Sequence, residues 1–195
     1  MANEPKHYEV LLAVTGGIAA YKSAMLCSQL RQKQVGVTVA MTANAERFVG
    51  RVTFSALSSR KVHTDLFSID DDNENYNISH ISLTKRADLI VVAPATANII
   101  AKMAGGICDD LVSSLLCAAD SDILIAPSMN ERMWNNPATQ RNIKTLRETG
   151  VYFVGPQTGA LACGTKGIGR MCEPEEILAE IAKLMESKKP KGLCP

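Results

Sequence analysis

The sequence predicts an α/β protein with a three-layer, doubly wound and mostly parallel sheet, and three observations support this fold class. Short apolar segments alternate along the chain with segments whose apolar residues recur at helical spacing. One apolar segment, 87–95, is almost continuously aliphatic, as in strands that are covered on both faces. The last helical segment begins with acidic residues and ends with lysines, which suits the helix dipole. Helices on both faces of a parallel sheet account for this pattern.

The N-terminal part of the chain predicts a strand, a helix and a second strand. Residues 9–15 form a short apolar run with β-branched content, and residues 35–42 form another. Between them, a glycine pair precedes apolar residues at helical spacing, which predicts a helix that ends near residue 33. The segment after the second strand predicts another helix, with Asn44 as its N-cap.

The rest of the chain continues the alternation. The strand 87–95 is expected to stop at Pro94, because proline cannot donate a backbone hydrogen bond. The later elements are two helices, a strand, a helix, a strand and a final helix, at 96–104, 110–119, 122–127, 137–148, 151–155 and 173–189. The acidic, polar segment 65–79 predicts a surface loop. Residues 155–173 contain too much glycine for a regular element, which predicts a mobile loop or flap.

Composition restricts the class of protein. A chain of 195 residues predicts one domain, with a core at 8–187 and a flexible tail at 188–195. The net charge of +1 gives no reason to expect nucleic acid or a membrane surface as a partner. No segment is apolar over the roughly 20 residues of a membrane span, so we expect a cytoplasmic protein. The cysteine spacing predicts no metal site, and Cys27, Cys108 and Cys117 are expected to be buried.

Three strand ends carry small or hydroxyl-bearing residues that open onto helices. Gly16 and Gly17 follow the first strand, Thr42 ends the second, and Thr96 follows the strand 87–95. Glycine before a helix N-terminus lets a phosphate approach the backbone, and the absence of G-x-G-x-x-G favours a mononucleotide. The alternatives are a tight turn without a ligand and, for Thr96, a simple N-cap. Because carboxyl ends of parallel strands share one edge, a common crevice is predicted.

A fourth strand end carries the segment PSMNERMW, residues 127–134. Ligands of open α/β sheets bind at such strand ends, so Asn130 is a candidate ligand-binding residue. Met129 and Met133 would either line the ligand with soft apolar walls or pack in the core.

Two further residues are candidates for proton transfer. His80 lies in the segment SHISL, although a single histidine is more often structural than catalytic. Cys163 lies in the glycine-rich stretch, where a thiol on a flap can close over a site and exchange a proton. The alternative for Cys163 is an incidental cysteine on a surface loop.

Taken in order, these segments resemble the flavin-containing cysteine decarboxylases, a homo-oligomeric family of Rossmann- or flavodoxin-like flavoproteins. The most specific segment is PSMNERMW, which matches the family motif P-x-M-N-x-x-M-W at every fixed position. The others are TGGIAAYK, MTANAERFV, SHISL, ADLIVVAPATAN and ACGTKGIGRM. The resemblance extends from about residue 8 to residue 187. One local difference is Asp109, where relatives often have asparagine.

The resemblance implies FMN as the cofactor and assigns roles to individual residues. The residues implied to bind the FMN phosphate are Gly16, Gly17, Ile18 and Thr42, and those implied to line the flavin are Ala95, Thr96, Ala97 and Asn98. The implied catalytic residues are His80, Asn130 and Cys163, of which Asn130 also binds the substrate. The other residues expected along the substrate are Met129, Met133, Ala162 and Gly164.

Within the family, the chain is most similar to members that decarboxylate 4′-phosphopantothenoylcysteine to 4′-phosphopantetheine in coenzyme A biosynthesis. The implied route is oxidation by FMN to a thioaldehyde, loss of CO2 and re-reduction of the enethiolate. The alternatives are a lantibiotic-type peptidyl-cysteine decarboxylase, whose members lack the equivalent of Cys163, and a non-catalytic flavoprotein regulatory subunit. The resemblance also implies a trimer, or a dodecamer built from trimers. It further implies a phosphopantothenate–cysteine ligase domain or protein as a partner.

Overall fold

A computed structural model of the chain describes residues 8–67, 79–160, 164 and 166–186. In this part of the chain, six parallel strands form the main sheet in the order β3-β2-β1-β4-β5-β6. These strands are β1 Glu9–Val14, β2 Gly36–Met41, β3 Val62–His63, β4 Leu89–Ala95, β5 Asp122–Pro127 and β6 Tyr152–Phe153. The strand order reverses between β1 and β4, which creates a crevice at their carboxyl ends.

Helices cover both faces of this sheet. The helices are α1 Ala20–Gln32, α2 Ala43–Glu46, α3 Arg51–Ser58, α4 Ser79–Arg86, α5 Ala97–Gly105, α6 Leu111–Cys117, α7 Glu131–Trp134, α8 Pro137–Glu148 and α9 Pro174–Glu186. A separate antiparallel hairpin consists of β7 Gln157–Ala160 and β8 Lys166–Arg170. None of the helices in the described ranges is both long and apolar enough to cross a membrane.

Alternate residues of β1 contribute to two cores on opposite faces of the sheet. Leu12 packs in a cluster with side chains of α1, α3 and α9, whereas Leu11 packs in a second cluster with side chains of α5, α6 and α8. Both leucines are at most 1% exposed. A strand that is buried on both faces needs apolar residues at every position, which explains the continuous aliphatic runs. The predicted three-layer, doubly wound fold is confirmed.

Several local predictions were wrong. The N-cap of α2 is Thr42 and not Asn44, and β4 continues through Pro94 to Ala95. The glycine-rich stretch forms the β7–β8 hairpin over most of its described length. Cys108 and Cys117 are exposed, because they lie just before α6 and at its last residue.

Some predictions fall on residues that are not described. The tail 188–195 lies outside the described residues, as does most of the predicted surface loop at 65–79.

Asp109, the position that differs from relatives, forms part of an ion-pair cluster at the start of α6. Lys102 Nζ contacts Asp109 Oδ1 at 2.5 Å and Asp110 Oδ2 at 2.6 Å. Asp110 is also the N-cap of α6, because its Oδ1 accepts the Ser113 N–H at 2.8 Å. Asp109 is 59% exposed, so the cluster depends mainly on Asp110.

We therefore expect Asp110→Ala to lower the free energy of unfolding by about 1–2 kcal/mol at neutral pH, through loss of the N-cap. Burial alone would raise the pKa of Asp110, but hydrogen bonds from Lys102 and Ser113 lower it overall. The stabilisation of the fold by the ionised Asp110 side chain is therefore complete above the unfolded-state pKa of about 3.9. It is lost as the pH falls through the lower folded-state pKa. Urea denaturation at neutral and acidic pH measures both effects. Asp109→Asn is the control, with an expected change below about 1 kcal/mol.

Candidate active site

The ends of β1 and β4 are joined by a buried threonine. Thr15, which is 2% exposed, donates a hydrogen bond from Oγ1 to the Pro94 carbonyl oxygen at 2.6 Å. The Thr96 N–H donates to Thr15 Oγ1 at 3.3 Å. Thr15 was not among the predicted site residues, although a hydroxyl between an apolar strand and a glycine pair is a signal that could have identified it. These hydrogen bonds hold the ends of β1 and β4, the first and third of the predicted strand ends, side by side.

The glycine pair forms a tight turn between β1 and α1. The Gly17 N–H donates to the Thr15 carbonyl at 3.0 Å, and the Ala20 N–H donates to the Gly17 carbonyl at 3.0 Å. A Cβ on Gly16 would collide with Asn44, so this glycine allows the start of α2 to pack against the turn. A Cβ on Gly17 would instead extend into the space beside Thr96 Cγ2, at 3.6 Å. The space between the turn and the end of β4 therefore depends on Gly17.

Thr42 and Ile18 border the same turn. The Thr42 N–H donates to the Val14 carbonyl at 3.1 Å, and its Oγ1 accepts the Ala45 N–H at 3.3 Å. Because this bond uses a lone pair of the hydroxyl oxygen, the hydroxyl hydrogen can donate to an anion. Ile18 is 58% exposed, which places it at the surface of the turn.

The residues at the end of β4 include the N-cap that the sequence suggested as one alternative for Thr96. Thr96 is the N-cap of α5, since its Oγ1 accepts the Ile99 N–H at 3.4 Å. Ala95 is buried, Thr96 and Ala97 are half-buried, and Asn98 is exposed. Capping by Thr96 leaves its neighbours along the mouth of the crevice, so the same residues remain candidates for lining a ligand.

The segment after β5 presents Asn130 at the start of a short helix. The Ser128 N–H donates to the Ala95 carbonyl at 2.9 Å, which ties this segment to the end of β4. Asn130 is the N-cap of α7, and its Oδ1 accepts the Arg132 N–H at 2.8 Å. This bond fixes the orientation of the amide plane. Met129 packs against the core that includes α5, α6 and α8, whereas Met133 is 48% exposed.

The β7–β8 hairpin lies against the same segment. The Met129 N–H donates to the Gly169 carbonyl at 2.9 Å. After β8, the buried Lys22 of α1 donates to the Met171 carbonyl at 3.0 Å and pairs with Glu173 at 2.9 Å. The hairpin is therefore anchored both to the turn that carries Asn130 and to the helix that follows the glycine pair.

The described residues include only part of the predicted catalytic set. His80 lies in the first turn of α4, of which the backbone is described. Because α4 ends just before β4 begins, its first residues lie toward the carboxyl edge of the sheet. Ala162 and Cys163 lie outside the described residues. Gly164, the one described residue beside them, is exposed and has a φ of +83°.

Comparison with known proteins identifies the family. The model of the Flavoprotein family matches residues 2–186. The chain belongs to the Flavoprotein family. This flavoprotein is 50% identical over 169 residues to the coenzyme A biosynthesis bifunctional protein CoaBC of Bacillus subtilis (strain 168), a match that covers 87% of the chain and 41% of the relative. It spans less than half the length of the curated relatives that it matches.

Two solved structures have the same fold. A cysteine-to-serine mutant of PPC decarboxylase, complexed with pantothenoylaminoethenethiol, matches with a TM-score of 0.82 and 32% identity, over 92% of the flavoprotein and 99% of that chain. The FMN-dependent cysteine decarboxylase SpaF matches with a TM-score of 0.78 and 30% identity, over 93% and 98% of the two chains. The predicted relationship to the flavin-containing cysteine decarboxylases is confirmed.

Proposed function

We propose that the chain catalyses the FMN-dependent decarboxylation of 4′-phosphopantothenoylcysteine to 4′-phosphopantetheine in coenzyme A biosynthesis. The observation that carries the proposal is the hydrogen-bonded link between the glycine turn, the end of β4 and the turn with Asn130. The turn proposed to bind the cofactor phosphate and the amide proposed to bind the substrate therefore lie at one edge of the sheet. Similarity to CoaBC and to PPC decarboxylase supports the choice of substrate.

The residues at this edge fit FMN. Gly17 has no side chain beside the N-terminus of α1 and the hydroxyl-bearing Thr96, so its backbone is open to the approach of a phosphate. The residues that would hold the cofactor are Gly16, Gly17, Ile18 and Thr42 at the phosphate, and Ala95, Thr96, Ala97 and Asn98 along the flavin. When bound, FMN supplies the two-electron oxidation of the thiol-bearing carbon of the substrate and later returns the electrons.

Gly17→Ala is expected to weaken FMN binding about tenfold or more, because its methyl group would keep the phosphate from approaching the backbone and remove one or more hydrogen bonds to a charged group. The added Cβ would meet Thr96 at an ordinary contact distance of 3.6 Å, so the melting temperature should change little. Titration of the apoprotein with FMN measures the Kd. Gly50→Ala is the matched control, because a Cβ at Gly50 meets nothing within 4 Å. An unchanged Kd for Gly17→Ala would contradict the phosphate assignment.

Asn130 would orient the substrate through its side-chain amide. The amide can donate a hydrogen bond to the substrate carboxylate without the strong ion pair that an arginine would form. Such an ion pair would stabilise the charged carboxylate more than the transition state, in which that charge is lost with CO2. A neutral donor is therefore the more suitable group for decarboxylation.

His80 and Cys163 would carry out the proton transfers. The imidazole of His80 would accept a proton, or stabilise the charge that develops, while the substrate is oxidised. The Cys163 thiol would donate its proton to the carbon that lost CO2. The complex of a cysteine-to-serine mutant of PPC decarboxylase with pantothenoylaminoethenethiol supports this role, since that ligand is an enethiol.

A second candidate function is oxidative decarboxylation of a peptidyl cysteine. The similarity to SpaF favours it, because SpaF is an FMN-dependent cysteine decarboxylase of the same fold. Cys163 opposes it, since a thiol donor is needed only when the enethiol is reduced.

The proposal also includes a homo-oligomer, a cytoplasmic location and a partner, which is a phosphopantothenate–cysteine ligase domain or protein. The bifunctional relatives support this partner.

Mass spectrometry of the reaction tests the proposal. The purified protein, reconstituted with FMN, is incubated with 4′-phosphopantothenoylcysteine. A product that is lighter than the substrate by one CO2 supports the proposed function. A product lighter by one CO2 and two hydrogens would instead support a reaction that ends at the enethiol. An unchanged substrate, in the presence of protein that has bound FMN, would contradict the proposed function.

A further inference from the structure

Strand β8 lies directly against the turn that carries Asn130. Besides the hydrogen bond from Met129 to Gly169, the Ile168 N–H donates to Glu131 Oε1 at 3.4 Å. Glu131 is the first residue of α7 and is half-buried. Gly167 and Gly169 are both buried in this contact. The residues on either side of Asn130 are thus both bonded to the same strand.

Two glycines of β8 make this close approach feasible. Gly169 has a φ of +138°, and a Cβ at this position would collide with the Met129 carbonyl. A Cβ at Gly167 would lie 2.5 Å from the Glu131 carboxylate. The carboxylate therefore occupies the place that a side chain at position 167 would need. Gly159, the residue paired with Gly167 across the hairpin, faces the flexible side chain of Arg170 instead.

We propose that Glu131 is a positioning residue that clamps β8 to the Asn130 turn. The inference rests on the proposed function, in which Asn130 binds the substrate carboxylate. Because Glu131 follows Asn130 directly in the chain, a shift of β8 would move the backbone that orients the Asn130 amide. The clamp would therefore act on substrate binding through Asn130, without contact between Glu131 and the substrate.

Hydrogen–deuterium exchange of the segment 166–170 tests the clamp without any substrate. Glu131→Ala removes the acceptor of the Ile168 N–H and is expected to increase exchange. Gly167→Ala is expected to have the same effect, because its Cβ displaces the carboxylate. Glu131→Gln keeps an oxygen acceptor and should restore protection. Gly159→Ala, the same substitution on the paired strand, is the control and should leave exchange unchanged.

Steady-state kinetics tests the positioning role. The loss of one hydrogen bond predicts that Glu131→Ala lowers kcat/KM about threefold to tenfold, mainly through KM, with the affinity for FMN unchanged. Glu131→Gln should lie within about twofold of the wild type. The double variant Glu131→Ala/Gly167→Ala should be no worse than Glu131→Ala alone, because both substitutions break the same contact.

Each result decides one part of the inference. If the segment 166–170 exchanges as slowly in Glu131→Ala as in the wild type, the proposed clamp is overturned. Increased exchange with unchanged kcat/KM would overturn the positioning role and leave the proposed function intact. If the wild type does not turn over the substrate, the proposed function fails, while the exchange experiment still decides whether Glu131 holds β8.

Discussion

Asn130→Asp is expected to reduce kcat/KM about a thousandfold or more, through loss of a substrate-binding donor and the approach of two like charges. The fold should persist, because aspartate is as good an N-cap as asparagine and keeps the Oδ1 that accepts the Arg132 N–H. The substitution removes the amide hydrogens and places a carboxylate opposite the carboxylate of the substrate. Kinetics, thermal melting and flavin absorbance are measured on the same preparation. Together they distinguish a loss of activity at the site from a loss of the fold or of bound FMN.

The chain provides a matched control for this substitution. Asn136 is the N-cap of α8, and its Oδ1 accepts the Ala138 N–H at 2.9 Å, in the same arrangement as Asn130 in α7. Asn136→Asp should therefore retain full activity. Comparable losses in both variants would point to the added charge or to the caps as the cause. Substantial turnover by Asn130→Asp would refute the role of the amide.

Much of the sheet could be predicted because its strands carry a strong local signal. The strand 122–127 and the helix 137–148 have the predicted bounds, since each is a clear apolar or periodic segment between turn residues. The hairpin was missed for the opposite reason. Glycine weakens a strand when only local preference is considered. Here Gly167 and Gly169 are required by contacts with Met129 and Glu131, which are remote in the sequence.

In the candidate site, too, some residues could be predicted from the local sequence, whereas others depend on contacts with distant parts of the chain. Gly17, Thr42 and Thr96 could be grouped from the sequence, because the carboxyl ends of parallel strands share one edge of the sheet. Lys22 could not, since a lysine in a helix is ordinarily exposed. It is 6% exposed because its ammonium group bonds to Met171 and Glu173, which lie about 150 residues away in the chain. Such partners become visible only when the fold is known.

Cys163→Ser is expected to lower the yield of 4′-phosphopantetheine about a hundredfold or more, because a general acid of this kind contributes on that scale. Serine is a much weaker acid than cysteine, so protonation of the product carbon should fail while the earlier steps proceed. The expected product is lighter than the substrate by one CO2 and two hydrogens, which is the enethiol. Mass spectrometry of the quenched reaction identifies it directly.

Cys108→Ser is the control for this experiment, because Cys108 is an exposed thiol just before α6. It should form 4′-phosphopantetheine at the rate of the wild type. Both variants should bind FMN with unchanged affinity, since neither residue belongs to the proposed phosphate or flavin contacts. Normal formation of 4′-phosphopantetheine by Cys163→Ser would refute the assigned proton donor. Loss of every product would place Cys163 before decarboxylation instead of after it.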